Sequence, residues 1–445
     1  MQVIQIILAL SILVLIHELG HYTFARIFGI RIDKFFLFFD AGGVKLFSTR
    51  SEWFLKICPK AAEWETEYGI GWLPLGGYCK VNGMIDESMD TEFMKSEPKP
   101  WEFRSKPAWQ RLLVMVGGVL FNFILGIALF SFSLFQWGEN YVPAEGINIY
   151  VHENSLEDKI GFKSGDIILA LDGEKPGDFR MVQVDMARNK VEKVTVARNG
   201  DTLDLYIDHN YIADMLNTPM FREIAIPFVI DEIPKESHNA NVGLTKGDKI
   251  IAINETPITY LQDAVPVLKE LTNQEINITF LRDSTKLSLP VTVDEKGTIG
   301  VACQIPHVNV QQIRYSFLES IPAGLRKAYD ATIGQIKDLL LLAQPSTGAY
   351  KSVGSIIAIT EVMPQQWNWA FFINILATIS IILAVMNLLP IPALDGGHIV
   401  FVLYEMITGR KPSDKFLAIM QIIGMILIFG LMFLAFGNDI ARLIK

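Results

Sequence analysis

The first apolar run of the chain, from Val3 to Ile16 and on through Leu19, Gly20, Tyr22, Thr23 and Phe24, contains three ionisable residues: His17, Glu18 and His21. Ionisable groups at membrane depth are costly and by default mark a functional site. On a helix, positions i and i+4 share a face, so both imidazoles can bind one zinc ion. Glu18 then stands beside them as a base for an attacking water. The HExxH pattern is short enough to arise by accident, and a lone buried histidine is more often a hydrogen-bonded core residue, so the motif needs support from elsewhere in the chain.

A cleaved signal peptide would also place an apolar run at this end. Residues 1 to 16 carry no Lys or Arg, and no small-x-small cleavage site follows, so the segment reads as a retained span. Half of the 445 residues are hydrophobic and the mean hydropathy is +0.31, yet 20% are charged, which predicts a membrane protein with a sizeable soluble part. A net charge of −9 gives no basic footprint for nucleic acid, and that class of partner is set aside. Cys58, Cys79 and Cys303 are odd in number and widely spaced, fitting neither a disulfide framework nor a cysteine zinc site.

Three further uncharged stretches can span a bilayer: 112–138, 362–394 and 416–438. Arg26, Arg31, Lys34, Arg104, Lys106 and Arg111 flank the first connection, and Arg410, Lys411 and Lys415 the last. The positive-inside bias therefore places residues 29–110 and 400–413 in the cytoplasm, with the stretch from about 138 to 365 and both termini outside. His17 lies about 21 Å down a helix begun at Val3, near the cytoplasmic edge of a ~30 Å core.

The third stretch runs in the same direction, and its one charged residue, Asp395, comes at its cytoplasmic end. Two separate segments thus deliver two histidines and a carboxylate to one depth. Three protein ligands with one open position is the arrangement of catalytic zinc, whereas structural sites are closed by four. Pro390 and Pro392 remove backbone donors just before Asp395, which predicts unwound chain at membrane depth, tolerated only where it is buried in protein or lines a cavity. Taken alone, the same stretch also fits a proline-terminated span ending in an Asp-Gly turn.

HELGH at 17–21 together with NLLPIPALDGGH at 387–398 resembles the site-2 protease family of intramembrane zinc metalloproteases, and LPLGGY at 73–78 is similar to a family segment that follows the first span. The resemblance implies that His17, His21 and Asp395 bind Zn2+, that Glu18 is the catalytic glutamate, and that Asn387 helps hold substrate or the oxyanion. It carries Pro390, Pro392, Gly76 and Gly77 with it as substrate-binding positions. Two departures touch the detailed shape of a membrane-dipping loop. Gly117-Gly118 stands where relatives often have Gly-Pro before the Asn-Phe of the second span, here Asn122-Phe123, and Asp40-Ala41-Gly42-Gly43 replaces a Gly-Phe-Gly.

Residues 35–39 and 68–73 are apolar, aromatic and broken by glycines, which reads as short strands against or within the membrane. A strand edge beside the metal would let an unwound substrate pair with it. Outside the membrane the chain repeats itself, with 160–172 aligning to 242–254 at an offset of 82. The repeated glycine turn, Gly-Asp and β-branched strand resemble PDZ domains, expected at 145–217 and 220–303. Such a pair could filter out bulky ectodomains or bind peptide; the filter is the preferred reading. Apolar residues at three- and four-residue steps over 312–345 predict an amphipathic helix on the outer membrane surface.

The expected fold is therefore a polytopic α-helical membrane protein with four transmembrane helices, a membrane-associated β-hairpin or sheet and two inserted α+β PDZ domains. Its plan is 1–30 for the first span with HExxH, 31–110 for the cytoplasmic, membrane-dipping β region, 111–138 for the second span, 145–217 and 220–303 for the PDZ pair, 312–345 for the interfacial helix, 365–398 for the third span with its LDG motif, and 414–438 for the fourth. The expected activity is that of a zinc endopeptidase of the lipid bilayer. Its substrate would be a single-span membrane protein of the anti-sigma-factor kind, already shortened outside by another protease. A bacterial inner membrane is the expected setting, since no transit peptide is evident, with the PDZ pair periplasmic and the active site near the cytoplasmic side. An inactive membrane scaffold and a soluble-type zinc protease on a tether are the alternatives; intact Glu18 speaks against the first and ligands lying within spans against the second.

Overall fold

The computed structural model describes residues 1–84 and 97–444, so residues 85–96 of the first connection lie outside the described residues. The chain divides into two compact units. Residues 1–139, 313–345 and 349–445 form one, and residues 140–312 with 346–348 form the other.

The first unit is built on four helices long and apolar enough to cross a membrane: Gln2–Ile27, Ala108–Trp137, Trp369–Asn387 and Lys415–Ala441. The third expected span, 365–398, is divided. Its helix stops at Asn387, residues 388–394 are irregular, and a new helix runs from Asp395 to Thr408. Contacts fix the directions of the spans. Gln5 donates to Pro364 O at 3.0 Å near the start of the first and third spans, and His17 meets Asn387 farther along both, so these two run parallel. The second span is antiparallel to them, with its Gly117 on Gly20 and its Ser133 accepting from Asn374. Between these levels Ala9 and Leu13 pack on Phe372 and Leu376 in a dry cluster.

Gly20 and Gly117 are where the first two spans touch backbone to backbone. A Cβ on Gly20 would overlap the carbonyl of Gly117, so only glycine permits the approach. The buried pair Arg111–Glu405 ties the start of the second span to the helix that Asp395 begins.

After the first span the chain forms a four-stranded sheet: β1 (Ile32–Phe39), β2 (Lys45–Ser48), β3 (Glu67–Gly71) and β4 (Leu73–Val81), in the order β2-β3-β1-β4. β1 runs parallel to β3 and antiparallel to β4. Phe38, at φ 67°, marks the slip in the β1–β4 ladder. β4 is an edge strand, and its Gly77 lies against Val14 of the first span.

The helix expected to lie on the membrane surface, Phe317–Leu342, instead stacks along the second and third spans, sharing a cluster with Phe130, Ala377, Ile381 and Val385. Its packing face is made of small residues: Ser320, Gly324 and Ala328 are buried, with Gly324 against Ser131. Of the large apolar residues, Phe317, Ile321, Leu325 and Leu340 face outward, while Leu339 packs into the cluster and Leu341 is buried. Small residues let helix backbones approach where lipid, rather than water, covers the remaining surface, and for that reason the apolar stripe points away from the protein.

The second unit holds two lobes of matching plan, each with its own core, one around Phe162, Ile168 and Val194 and the other around Phe228, Ile250 and Phe280. In each, a buried aspartate that follows glycine accepts a paired arginine two strands on: Asp166 from Arg198, and Asp248 from Arg282 at 2.7 and 2.8 Å. Burial works against ionised Asp248, but Arg282 and the Thr245 amide outweigh it and hold the carboxyl below the usual aspartate range.

The pair therefore stabilises the second lobe above the ordinary aspartate pKa, and the contribution fades as pH falls through the lower, folded-state value. Arg282→Met is expected to destabilise the second lobe at neutral pH by leaving the buried Asp248 carboxylate without its charged partner. Hydrogen exchange at Ile250 and Ile253 in the full-length protein reads this directly. Equal exchange in variant and wild type at pH 7 would remove the pair from the stability of the lobe.

Candidate active site

His17, Glu18 and His21 fall on the first span where it passes the second. Both histidines are buried and Glu18 is half-buried. The two imidazole Nε2 atoms are 3.2 Å apart, and Asp395 Oδ2 stands 3.2 Å from that of His17 and 3.3 Å from that of His21. Among the described residues these three form the cluster able to hold a metal ion. Asp395 opens its helix, where the macrodipole favours a carboxylate. It is aimed by an irregular segment in which Ala393 adopts φ 84°, a conformation that an L side chain takes only when its surroundings force it.

The donor set fits zinc. Asp395 Oδ2 is buried close to both nitrogens and hydrogen-bonded to neither. His21 Nδ1 lies 2.9 Å from Val114 O, an acceptor only, so its proton is on Nδ1 and a lone pair remains on Nε2. With the rings neutral, their lone pairs and the anionic oxygen converge on one point and offer a cation three donors. A near-equilateral triangle of these dimensions also matches three corners of a tetrahedron with bonds of about 2.0–2.1 Å, whose edges are about 3.3–3.4 Å.

Of the positions carried from the resemblance, Asn387 joins this group, its Nδ2 lying 3.3 Å from His17 Nε2. Pro390 and Pro392 lie in the irregular segment that leads to Asp395, with Pro390 exposed. Gly76 and Gly77 are on edge strand β4, and the backbone N–H of Cys79 on the same strand donates to Glu18. The sheet edge and the glutamate are therefore neighbours.

Two residues of the second span complete the enclosure and were not picked out as site residues from the sequence. Gly118 faces both histidines; a Cβ there would fall 2.6 Å from His17 Cε1 and closer still to His21 Nε2. Asn122 is fully buried with its Nδ2 3.2 Å from His17 Nδ1. The available signal was a lone asparagine in an otherwise apolar span, together with a Gly-Gly where a proline is often found in relatives.

A model of peptidase family M50 matches residues 5–431. The "Regulator of sigma-E protease" of Salmonella typhimurium is 27% identical, the match covering 98% of this chain and 98% of that one. The corresponding protein of Haemophilus influenzae is also 27% identical over the same shares. A "Putative zinc metalloprotease" of Ralstonia nicotianae is 26% identical, covering 99% of this chain and 98% of its own length.

Gly118→Ala is expected to leave the helices folded and to weaken zinc binding at least about tenfold, because the added methyl occupies space between the ligands. Asp395→Ala is expected to lose the metal likewise. Zinc content after dialysis, with circular dichroism as the control for folding, checks both; full occupancy in Asp395→Ala would require another third ligand.

Proposed function

The chain belongs to peptidase family M50, the site-2 proteases, and is a zinc metalloprotease with membrane spans; we propose that it cuts the transmembrane segments of single-span membrane proteins, using His17, His21 and Asp395 to hold zinc and Glu18 as the base. The observation that carries this reading is the placement of three ligand atoms 3.2–3.3 Å apart on apolar helices with a glutamate one residue from His17. A tethered soluble-type enzyme would keep such a site outside the spans.

When bound, zinc supplies Lewis acidity that makes water acidic near neutral pH and polarises a carbonyl. The other steps belong to the chain. Glu18 takes the proton of the attacking water on a carboxylate oxygen and passes it to the nitrogen of the departing amine. The Asn387 amide, beside His17, donates to the carbonyl oxygen as charge gathers there. A transmembrane helix hides its peptide bonds in its own hydrogen bonds, so it must unwind before it can be cut. The open edge of β4, with Gly76 and Gly77 beside the first span, offers backbone groups to the unwound strand, and the loop at Pro390 and Pro392 borders the other side.

The reading extends to a bacterial inner membrane with the sheet and site near the cytoplasm and the two lobes, read as PDZ domains, in the periplasm. Arg and Lys flanking the first and last connections support that orientation. Relatives named for regulating sigma-E support a substrate class of anti-sigma-like proteins already shortened outside the membrane. The lobes then act as a size filter.

Glu18→Gln is expected to retain zinc and to lose about 10²–10⁴-fold in turnover of a model transmembrane substrate. Activity equal to wild type would sink the protease assignment of this residue. Removing both lobes is expected to permit cleavage of a substrate with a folded ectodomain while changing the shortened substrate little. Loss of cleavage of the shortened form, with zinc still bound, would favour peptide recruitment over filtering.

A further inference from the structure

We infer that Asn122 sets the ring state of His17, its side-chain carbonyl accepting the Nδ1–H so that the Nε2 lone pair is turned to the metal. This rests on the metalloprotease reading of the site.

The two histidines are supported differently. His21 faces a main-chain carbonyl, Val114 O, which can only accept and therefore fixes the proton on Nδ1. The matching nitrogen of His17 faces the amide of Asn122 at 3.2 Å, and an amide presents a donor or an acceptor depending on which way it is turned. If Nδ2 donates to Nδ1, the proton of a neutral His17 must sit on Nε2, in the middle of the triangle formed with His21 and Asp395, and that nitrogen is lost as a ligand. With the amide turned over, Oδ1 receives the Nδ1–H and Nε2 is free.

Metal binding through Nε2 selects the second arrangement. Asn122 Oδ1 is buried and has no hydrogen-bond partner, and an unpaired buried carbonyl costs about 1–3 kcal/mol. Turning the amide gives that oxygen a partner and leaves Nδ2 without one, so either orientation strands one polar atom and the metal's need for the Nε2 lone pair decides between them. The backbone that carries the residue is tied to the third span, Ser380 donating to the Asn122 main-chain carbonyl at 2.8 Å. Val114 and Asn122 are eight residues apart on one helix. The second span thus supplies both hydrogen-bond acceptors that orient the ligands of the first. Asn122 is a positioning residue: it acts through His17 and touches neither substrate nor metal.

The test uses the full-length protein in detergent. Asn122→Asp keeps an oxygen at the same reach, whereas Asn122→Leu keeps the size and removes the acceptor. Asn122→Leu is expected to weaken zinc affinity about 10–100-fold in a chelator competition, and Asn122→Asp to stay within about threefold of wild type. In zinc-loaded protein with labelled histidine, the Nδ1–H proton resonance of His17, identified by its absence in His17→Gln, is expected to move downfield in Asn122→Asp because a carboxylate is the stronger acceptor. An unmoved resonance, wild-type affinity in Asn122→Leu, or equal loss in both variants would overturn the assignment. Should Asn122→Leu fail to fold, the resonance in Asn122→Asp decides. Absence of zinc from the wild type would bring down the metalloprotease reading itself, whereas tight zinc in wild type and Asn122→Leu alike would remove only the role of Asn122.

Discussion

The contact on which the membrane unit depends is the backbone crossing of Gly20 and Gly117. In lipid, apolar side chains gain little by leaving one apolar surface for another, so helices associate through close packing and polar contacts. With no side chain at the crossing, the second span comes near enough for Val114 O to reach His21, for Gly118 to lie beside both rings and for Asn122 to meet His17. A larger residue at either glycine would move all three contacts together, so one steric condition governs the support of both histidines.

Asp395, the third candidate ligand, arrives by a different route. Pro390 and Pro392 stop the third span from continuing as helix, and the chain re-enters helix only at Asp395. The left-handed Ala393 shows that the segment is held in a conformation it would not choose alone. The Arg111–Glu405 pair fixes the new helix to the second span, so the carboxylate and the histidines are referred to the same support. The strain sits next to the chemistry and is offset by packing around it, the usual division of labour in a preorganised site.

Much of this was legible in the residues. HExxH in one apolar run and the lone Asp395 at the end of another pointed to the three side chains that the fold brings together, and the uncharged runs gave the spans because backbone in lipid leaves few alternatives to helix. The repeat at 82 residues predicted two lobes of one plan, down to the matching Asp166 and Asp248. The helix expected on the outer membrane surface over 312–345 packs on the spans instead at 317–342, because periodicity reports which face is apolar and not what lies against it. In water that face seeks protein, whereas beside lipid Ser320, Gly324 and Ala328 make the contact. Gly118 and Asn122 were hard to single out for a related reason: their part in the site depends on which helix crosses which, and that information is distributed over distant segments.

The dry cluster of Ala9, Leu13, Phe372 and Leu376 has a bearing on the cell as a whole. Hydrolysis requires water at the ligands, yet a continuous file of water through the spans would conduct protons and dissipate the electrical gradient, worth about 2.3 kcal/mol per charge at 100 mV. The four apolar side chains themselves offer water no hydrogen-bonding partner, and the polar atoms of Gln5 and Trp367 lie beyond them toward the start of the two spans. An apolar layer of this kind beyond a site that needs water would raise the cost of a conducting water file without closing the site itself.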